Sequence, residues 1–377
     1  MRGYNRATMP QHRLSFLATA GFEAARSLAF APPDHRLGRV HGHGFRAFAR
    51  VAAAPDGSAP WAPFPGAEVD ALRAALQAVV APLDYRRLDH LDHLGHLDHP
   101  TDEALARYVR TQLEGRLAGP PENIAMHSTS EQGVDLDAQG EAVVWRRYRF
   151  EAAHQLPNVP PGHKCGRMHG HGFTVTLEAR ASCLDVSSAL AYDELDRIWA
   201  PFGAELHQAC LNDLPGLENP TSEWIAHWLW QRIRPRLPAL AAVTVGETAG
   251  SGARFDGSGY RIWKDFNLDS AVRLRGAGPG DGRRRIHGHS YRLRLHLVGP
   301  LDRVYGWTID FGDVKTLFAP LFDRLDHRPL YEVPGIEERG SAALVEWIRG
   351  QAAAMLPQLA RVDLYETPGC GAILDWT

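Results

Sequence analysis

The sequence predicts an α+β chain of three tandem strand-strand-helix-helix-strand-strand (ββααββ) repeats, closed side by side into a pseudo-trimeric β-barrel with the helices outside. Two repetitions and one physical argument predict it. His-Gly-His occurs at 41–43, at 169–171 and at 287–289. Fifteen residues before each first histidine stands a matching segment: Phe22-Glu23-Ala24-Ala25-Arg26, Phe150-Glu151-Ala152-Ala153-His154 and Leu268-Asp269-Ser270-Ala271-Val272. Spacings of 128 and 118 residues between the copies far exceed a solenoid repeat, so each copy is domain-sized. The expected copies are 13–137, 144–256 and 260–377. Two hairpins carrying two helices on one face leave bare sheet edges, which three copies can pair away by closing a barrel.

The elements of one copy follow in order. Residues around 144 to 154 and 169 to 181 read as strands, the second with Phe173, Val175, Leu177 and Ala179 alternating as on a half-buried sheet. The first helix is clearest in the third copy, where Val314, Leu317, Phe318, Leu321 and Leu325 form a stripe after Asp310. Asn219-Pro220 marks the start of the second, followed by Ile225, Trp228, Leu229 and Ile233 at helical spacing. A β-branched run then leads to Gly246-Glu247-Thr248 in the middle copy and Tyr365-Glu366-Thr367 in the third. The first copy ends on Met126-His127-Ser128, without a carboxylate. Turn residues at Asp137-Ala138-Gln139-Gly140 and Asp256-Gly257-Ser258-Gly259 mark linkers.

Composition excludes several classes. At 377 residues and 44% hydrophobic content, the chain can bury a core in each copy. The net charge of −3, from 41 basic and 44 acidic residues spread along the chain, gives no footprint for nucleic acid or a membrane surface. Four scattered cysteines make no disulfide framework, and Cys183, Cys210 and Cys370 read as small packing residues. Residues 1 to 12 lack the apolar stretch of a signal peptide, and no run approaches a membrane span, so a cytoplasmic enzyme is expected.

The chemistry concentrates in the middle copy. His169 and His171, two apart on a strand, share a face, and His154 on the neighbouring strand can complete a three-imidazole cage. Such a cage with its fourth position open holds a catalytic zinc. Cys165 is either the fourth ligand or a free thiolate beside the ion. A bare His-Gly-His is weak evidence, so His41 with His43 and His287 with His289 read as packed or exposed pairs. Arg87-Leu88-Asp89-His90 matches Arg324-Leu325-Asp326-His327, where the middle copy has Glu205-Leu206-His207-Gln208. The run from His90 to His99 reads as a solvated loop, and Glu247 as structural.

These motifs, with Leu156-Pro157-Asn158-Val159-Pro160, His163 to His171 and Gly216 to Glu223, resemble the 6-pyruvoyltetrahydropterin and 6-carboxytetrahydropterin synthase family. The three-residue gap between Cys165 and His169 favours the carboxy-forming branch. The resemblance implies a tunnelling fold (T-fold), trimers forming a barrel, and two trimers stacked head to head, here a homodimer of pseudo-trimers. It implies zinc on three histidines, a cysteine base, and an Asp-His pair and a glutamate from a neighbour. Carried over residue by residue, zinc falls to His154, His169 and His171, and catalysis to Cys165, Asp326, His327 and Glu366, with Glu366 also binding the pterin. Lys164 and Arg167 become candidate triphosphate contacts, whereas Arg283 to Arg285 read as a solvated basic loop, with triphosphate contact the alternative. The third copy carries Val272 and Arg283 where the middle has His154 and Cys165; the first carries Arg26, Leu37 and His127 at the functional positions. One complete site is therefore expected, where the middle copy faces the third, with Asp89 and His90 of the first as the alternative partner. The implied reaction converts 7,8-dihydroneopterin triphosphate to 6-carboxy-5,6,7,8-tetrahydropterin, acetaldehyde and triphosphate, in 7-deazapurine and queuosine precursor synthesis. A pyruvoyl-forming or retro-aldol enzyme, or a non-catalytic zinc or pterin binder, is the alternative.

Overall fold

The computed structural model describes residues 12–91, 99–117, 119–184, 187–336 and 340–376. The first copy contributes β1 (Arg13–Arg26), β2 (His41–Ala52), α1 (Glu68–Val80), the short β3 (Arg86–Arg87), α2 (Asp102–Glu114), β4 (Asn123–Thr129) and β5 (Gln132–Leu136). The second contributes β6 (Ala142–His154), β7 (His169–Arg180), α3 (Ala191–Leu206), the short β8 (Ala209–Cys210), α4 (Ser222–Ile233), β9 (Leu240–Thr248) and β10 (Ser251–Phe255). The third contributes β11 (Tyr260–Val272), β12 (His287–Val298), α5 (Phe311–Phe322), α6 (Gly340–Ala352), β13 (Leu359–Thr367) and β14 (Cys370–Asp375). Among the described residues, twelve long strands follow one another in antiparallel order, and β14 pairs back onto β1. That pairing closes the barrel and removes the edges that a single copy would expose. Among the same residues no helix is long and apolar enough to cross a membrane.

Three seams join the copies: β5 with β6, β10 with β11, and β14 with β1. The segments read from sequence as linkers are the hairpin turns of the first two seams. Asp137 Oδ1 accepts from the backbone N–H of Gln139 and Glu141, and Asp256 Oδ1 from those of Ser258 and Gly259. Gly140 (φ 84°) and Gly257 (φ 90°) take the left-handed conformation that such turns need. A hairpin of fixed length fixes register, so one copy cannot slide against the next.

The core lies between the sheet and its helices. On β7, Phe173, Val175, Leu177 and Ala179 are all buried, as the alternation predicts. Phe22 stacks on Phe45, and Phe150 on Phe173, each at 5.0 Å across paired strands, and Leu268 faces Tyr291 in the third copy. The helix starts differ in part from expectation. Asp310 caps α5, but Leu317 is exposed and Leu325 lies beyond the helix end, leaving Val314, Phe318 and Leu321 as its buried stripe. Helix α4 is capped by Thr221, whose Oγ1 accepts from Trp224 N at 3.2 Å, rather than by Asn219. Asn219 instead donates across a seam to Tyr305 O at 2.7 Å.

The strand faces turned away from the helices carry charge. Asp363 on β13, 1% exposed, accepts from Arg361 Nε at 2.6 Å and Tyr365 OH at 2.9 Å, and lies 3.1 Å from His296 Nε2. Although burial opposes ionisation, the Arg361 guanidinium and His296 hold this carboxyl far below the usual range. Asp363→Ala removes the buried carboxylate that holds the partly buried Arg361 together with His296 and Tyr365, and is expected to cost about 3 kcal/mol. A folded-state pKa below the unfolded value of about 3.9 gives stability that is present above that value and lost as pH falls. Thermal melts should therefore separate wild type from variant at pH 7, and the gap should begin to narrow only below pH ~4.

Candidate metal centre and its surroundings

Strands β6 and β7 set His154 opposite His169 and Ala152 opposite His171. One donor atom from each of His154, His169, His171 and Glu247 lies within 4.8 Å of the others. His154 Nδ1 is 3.0 Å from Pro220 O, and His169 Nδ1 is 2.7 Å from Arg167 O. A carbonyl can only accept, so both Nδ1 atoms carry the proton and both Nε2 lone pairs are left for the centre. His154 Nε2 and His171 Nε2 are buried and lack a hydrogen-bond partner. His171 Nε2 lies 3.3 Å from Glu247 Oε1, outside good hydrogen-bond alignment. Buried, unpartnered acceptors cost about 1–3 kcal/mol each, a cost that a bound cation removes. Three neutral imidazoles and a carboxylate fit a divalent transition ion.

Glu247, on β9, accepts from Ser222 Oγ at 2.7 Å. Burial raises its pKa, but the nearby His171 ring, the hydrogen bond from Ser222 and the His154 ring beyond it outweigh this, holding it below the ordinary glutamate value. It therefore stands ready as an anion. The Cys165 sulfur lies outside the four-donor group. Burial pushes its thiol up, Glu247 and Asp310 push further, and Lys164 opposes them.

The third copy walls this site. Val304 O, Tyr305 O and Gly306 O accept from Asn158, Asn219 and Thr221, at 2.9, 2.7 and 2.7 Å. His163 Nε2 is 3.5 Å from Asp310, and its ring meets Trp307. Thr308 N donates to Glu223 Oε1 at 2.9 Å. Burial pushes Glu223 up to about 7, with Glu247 and Asp310 adding to the effect. The chain has only three lysines, Lys164, Lys264 and Lys315, and all three meet here. Burial, then the charges of Lys164 and Lys315, lower the pKa of Lys264.

The expected partnership of the middle and third copies holds for the seam but not for the residues. Glu366 accepts from Ser341 of its own copy, and its charged neighbours are Asp70, Glu68 and Arg283, at the seam of the third copy with the first. The cause is register. Strand β13 pairs Tyr365 with Arg292 just as β9 pairs Gly246 with Thr174, so each glutamate belongs to its own copy's histidines. Glu247, read from sequence as structural, therefore takes the place intended for Glu366, and the same pairing puts Ser128, not His127, at this position in the first copy. Arg283 pairs with Asp281 and Asp70 over the Phe64 ring, away from the histidine cluster.

Asp326 accepts from Asp269 N at 3.0 Å and lies 2.8 Å from His327 Nδ1. His327 has φ 54° and a side chain 76% exposed, and its hydrogen bond to Asp326 raises its pKa. The pair stands on the outer rim of its own copy and is not joined to the His154 cluster within the chain. Its counterparts share the same backbone bond: His327 N to Asp269 O, Gln208 N to Glu151 O, Tyr85 N to Glu23 O. Asp84-Tyr85, not Asp89-His90, is thus the first copy's equivalent. Asp89 holds Ser27 N as Asn212 holds Gln155 N, one turn later. Letter matching misled the sequence reading there, whereas counting from the preceding strand would have found Asp84. The His90 to His99 run falls largely on residues 92–98, outside the described residues.

A family model described as 6-pyruvoyl tetrahydropterin synthase matches residues 17–135, 143–258 and 261–376. A Synechocystis sp. protein named 6-carboxy-5,6,7,8-tetrahydropterin synthase is 34% identical over 120 residues, 30% of this chain and 92% of its own length. A Pyrococcus furiosus protein named dihydroneopterin monophosphate aldolase is 29% identical over 94 residues, 24% of this chain and 79% of its own. The solved 6-pyruvoyl tetrahydropterin synthase of Caenorhabditis elegans is 19% identical, with a TM-score of 0.27, covering 30% of this chain and 92% of that one.

Metal analysis of purified protein should find one divalent ion per chain. His154→Ala and His171→Ala should each weaken its binding at least about 10-fold, and His43→Ala and His289→Ala should leave it unchanged. Three ions per chain would contradict this assignment.

Proposed function

The chain belongs to the 6-pyruvoyl tetrahydropterin synthase family, and from that premise we propose that it is a zinc-dependent lyase. The reaction proposed is conversion of 7,8-dihydroneopterin triphosphate to 6-carboxy-5,6,7,8-tetrahydropterin, acetaldehyde and triphosphate. The observation that carries the reading is the convergence of His154, His169, His171 and Glu247 beside Cys165 at one seam. When bound, zinc supplies Lewis acidity to the substrate's side-chain hydroxyls and a positive charge that favours the Cys165 thiolate. Cys165 then takes protons from the side-chain carbons as general base. Glu223, buried and poised near neutrality, and Glu247 offer carboxyl oxygens to the N–H groups of a pterin ring. Lys164 and Arg167, joined by Lys264 and Lys315, supply the cations that a triphosphate needs. Trp307 and Asp310 of the third copy form the wall against which the ring lies.

The relay requires a second chain. Asp326 and His327 face outward at the barrel end that also carries the histidine pairs. That rim also exposes Val40, Met168 and Ile286, each directly before a His-Gly-His, together with Tyr85. Exposed apolar residues repeated around one rim fit a twofold, head-to-head contact with a second copy of the chain. We therefore assign His327, oriented by Asp326, as acid-base partner to the Cys165 of the opposite chain.

Incubation with the triphosphate substrate should release acetaldehyde. Glycolaldehyde in its place would favour a retro-aldol enzyme. Cys165→Ala and His327→Ala should each lower kcat by at least about 100-fold. Co-refolding the two inactive variants should restore up to about a quarter of wild-type activity, because half of the dimers are mixed and each holds one intact site. Absence of any recovery would place the relay elsewhere. Lys264→Ala should raise KM for the triphosphate roughly 10-fold while sparing unphosphorylated dihydroneopterin.

A further inference from the structure

Both backbone groups of Cys165 are engaged: its N–H donates to His163 Nδ1 at 3.2 Å, and its carbonyl accepts from Leu156 N at 2.8 Å. The segment that carries it is tied across the seam at two points. Asn158 donates to Val304 O at 2.9 Å, and His163 Nε2 lies 3.5 Å from Asp310 Oδ2. Because Nδ1 accepts the Cys165 N–H, it carries a lone pair, and the proton of the neutral ring sits on Nε2, toward the carboxylate. Asp310 divides its oxygens. Its Oδ1 caps α5, accepting from Gly312 N at 2.6 Å and Asp313 N at 3.2 Å, and its Oδ2 is left for His163. The imidazole and the carboxylate are 23% and 14% exposed, so salt and bulk water screen them little. The start of α5 in the third copy, Asp310, His163 and the Cys165 N–H thus form one continuous line.

The other junctions repeat this frame and isolate what is particular to the second copy. Leu37 is the counterpart of Cys165, since Leu28 N bonds Leu37 O as Leu156 N bonds Cys165 O. There His35 Nδ1 accepts from Leu37 N at 3.3 Å, and His35 Nε2 lies 3.0 Å from Asp193 Oδ2 of the second copy. In the third copy Asp281 accepts from Arg283 N at 2.9 Å, and Arg283 itself makes the reach to Asp70 of the first. Each time a side chain fixes the N–H two residues on, and the loop is braced by an aspartate at the start of the next copy's first helix. In the second copy alone, the residue so fixed is a thiol.

We propose that His163, braced by Asp310 of the third copy, is a positioning residue that aims the Cys165 thiol. The inference rests on the proposed role of Cys165 as base and adds a device supplied from across the seam. A general base works only within hydrogen-bond reach of the proton it takes, and a displacement of about 1 Å can cost about 100-fold in rate. While its backbone is held at both ends, the thiol turns mainly about its own Cα–Cβ bond. Loss of the brace frees His163, and with it the Cys165 N–H, so the sulfur spreads over positions out of reach of the substrate carbon. The contacts proposed to bind the substrate, Glu223, Glu247 and the lysines, are untouched, so kcat should fall while KM stays nearly constant.

Two measurements on full-length protein test this, one of them independent of turnover. Asp310→Asn keeps an oxygen to cap α5 and removes the carboxylate; His163→Asn keeps an oxygen to accept the Cys165 N–H and is too short to reach Asp310. Amide hydrogen exchange over residues 163–167 should quicken at least about 10-fold in Asp310→Asn, while strands β6 and β7 stay protected. In both variants kcat should fall at least about 10-fold and KM should move less than about 2-fold. The double variant should lose no more than the weaker single one, since the two side chains act as a unit. Asp193→Asn, at the equivalent brace behind Leu37, should leave kcat unchanged. Unaltered exchange in Asp310→Asn, or a wild-type kcat in either folded variant, would overturn the proposal. If the wild-type chain releases no acetaldehyde, the proposed reaction fails, and exchange alone decides the brace: quickening supports it, and unaltered protection removes it.

Discussion

Closure of the barrel is the constraint on which the other features depend. Twelve strands can satisfy their backbone groups only when β14 returns to β1, and that return makes every copy a neighbour of both others. In each copy the loop between the first two strands then faces the start of the next copy's first helix. His163 meets Asp310, His35 meets Asp193, and Arg283 meets Asp70. The candidate metal centre lies at one of three such junctions, and the same geometry carries different side chains at each.

The differences among the junctions are chemical substitutions on a common frame. The second copy gathers imidazole nitrogens and a carboxylate that lack an internal cation. The first supplies its own cation, Arg26, and sets a carboxylate against it. In the third, Val272 removes the first donor, and Leu274 packs against Gly66 of the first copy, filling the space. Histidine orientation survives in all three: His41, His169 and His287 each place Nδ1 against the carbonyl two residues earlier. The hydrogen bond that aims the ring persists in copies that lack the third histidine, because it belongs to the strand entry rather than to the candidate site.

Much of this was legible in the sequence. The repeated His-Gly-His and the fixed offset to its partner segment located the strand pairs, and the alternation along β7 gave its buried face. The three histidines were identifiable because two-residue spacing on a strand and cross-strand pairing are local. What failed was long-range. Whether Glu247 or Glu366 faces the three-histidine cluster depends on which strand each pairs with, and no spacing records that. Asp89-His90 resembled Asp326-His327 in letters, yet the residues that share their backbone bonds are Asp84-Tyr85. The loop from Val304 to Asp310 carries no motif and acquires its role only because β10 and β11 bring it beside the second copy.

The two tight turns at 137–140 and 256–259 have one more consequence. In an assembly of identical subunits, any substitution is written into every junction at once, so a residue that improves one spoils its equivalents. Joining the units by turns only a few residues long assigns each junction its own stretch of gene. Arginine, valine and histidine can then occupy one structural position in a single molecule, and each junction is free to drift toward a task of its own.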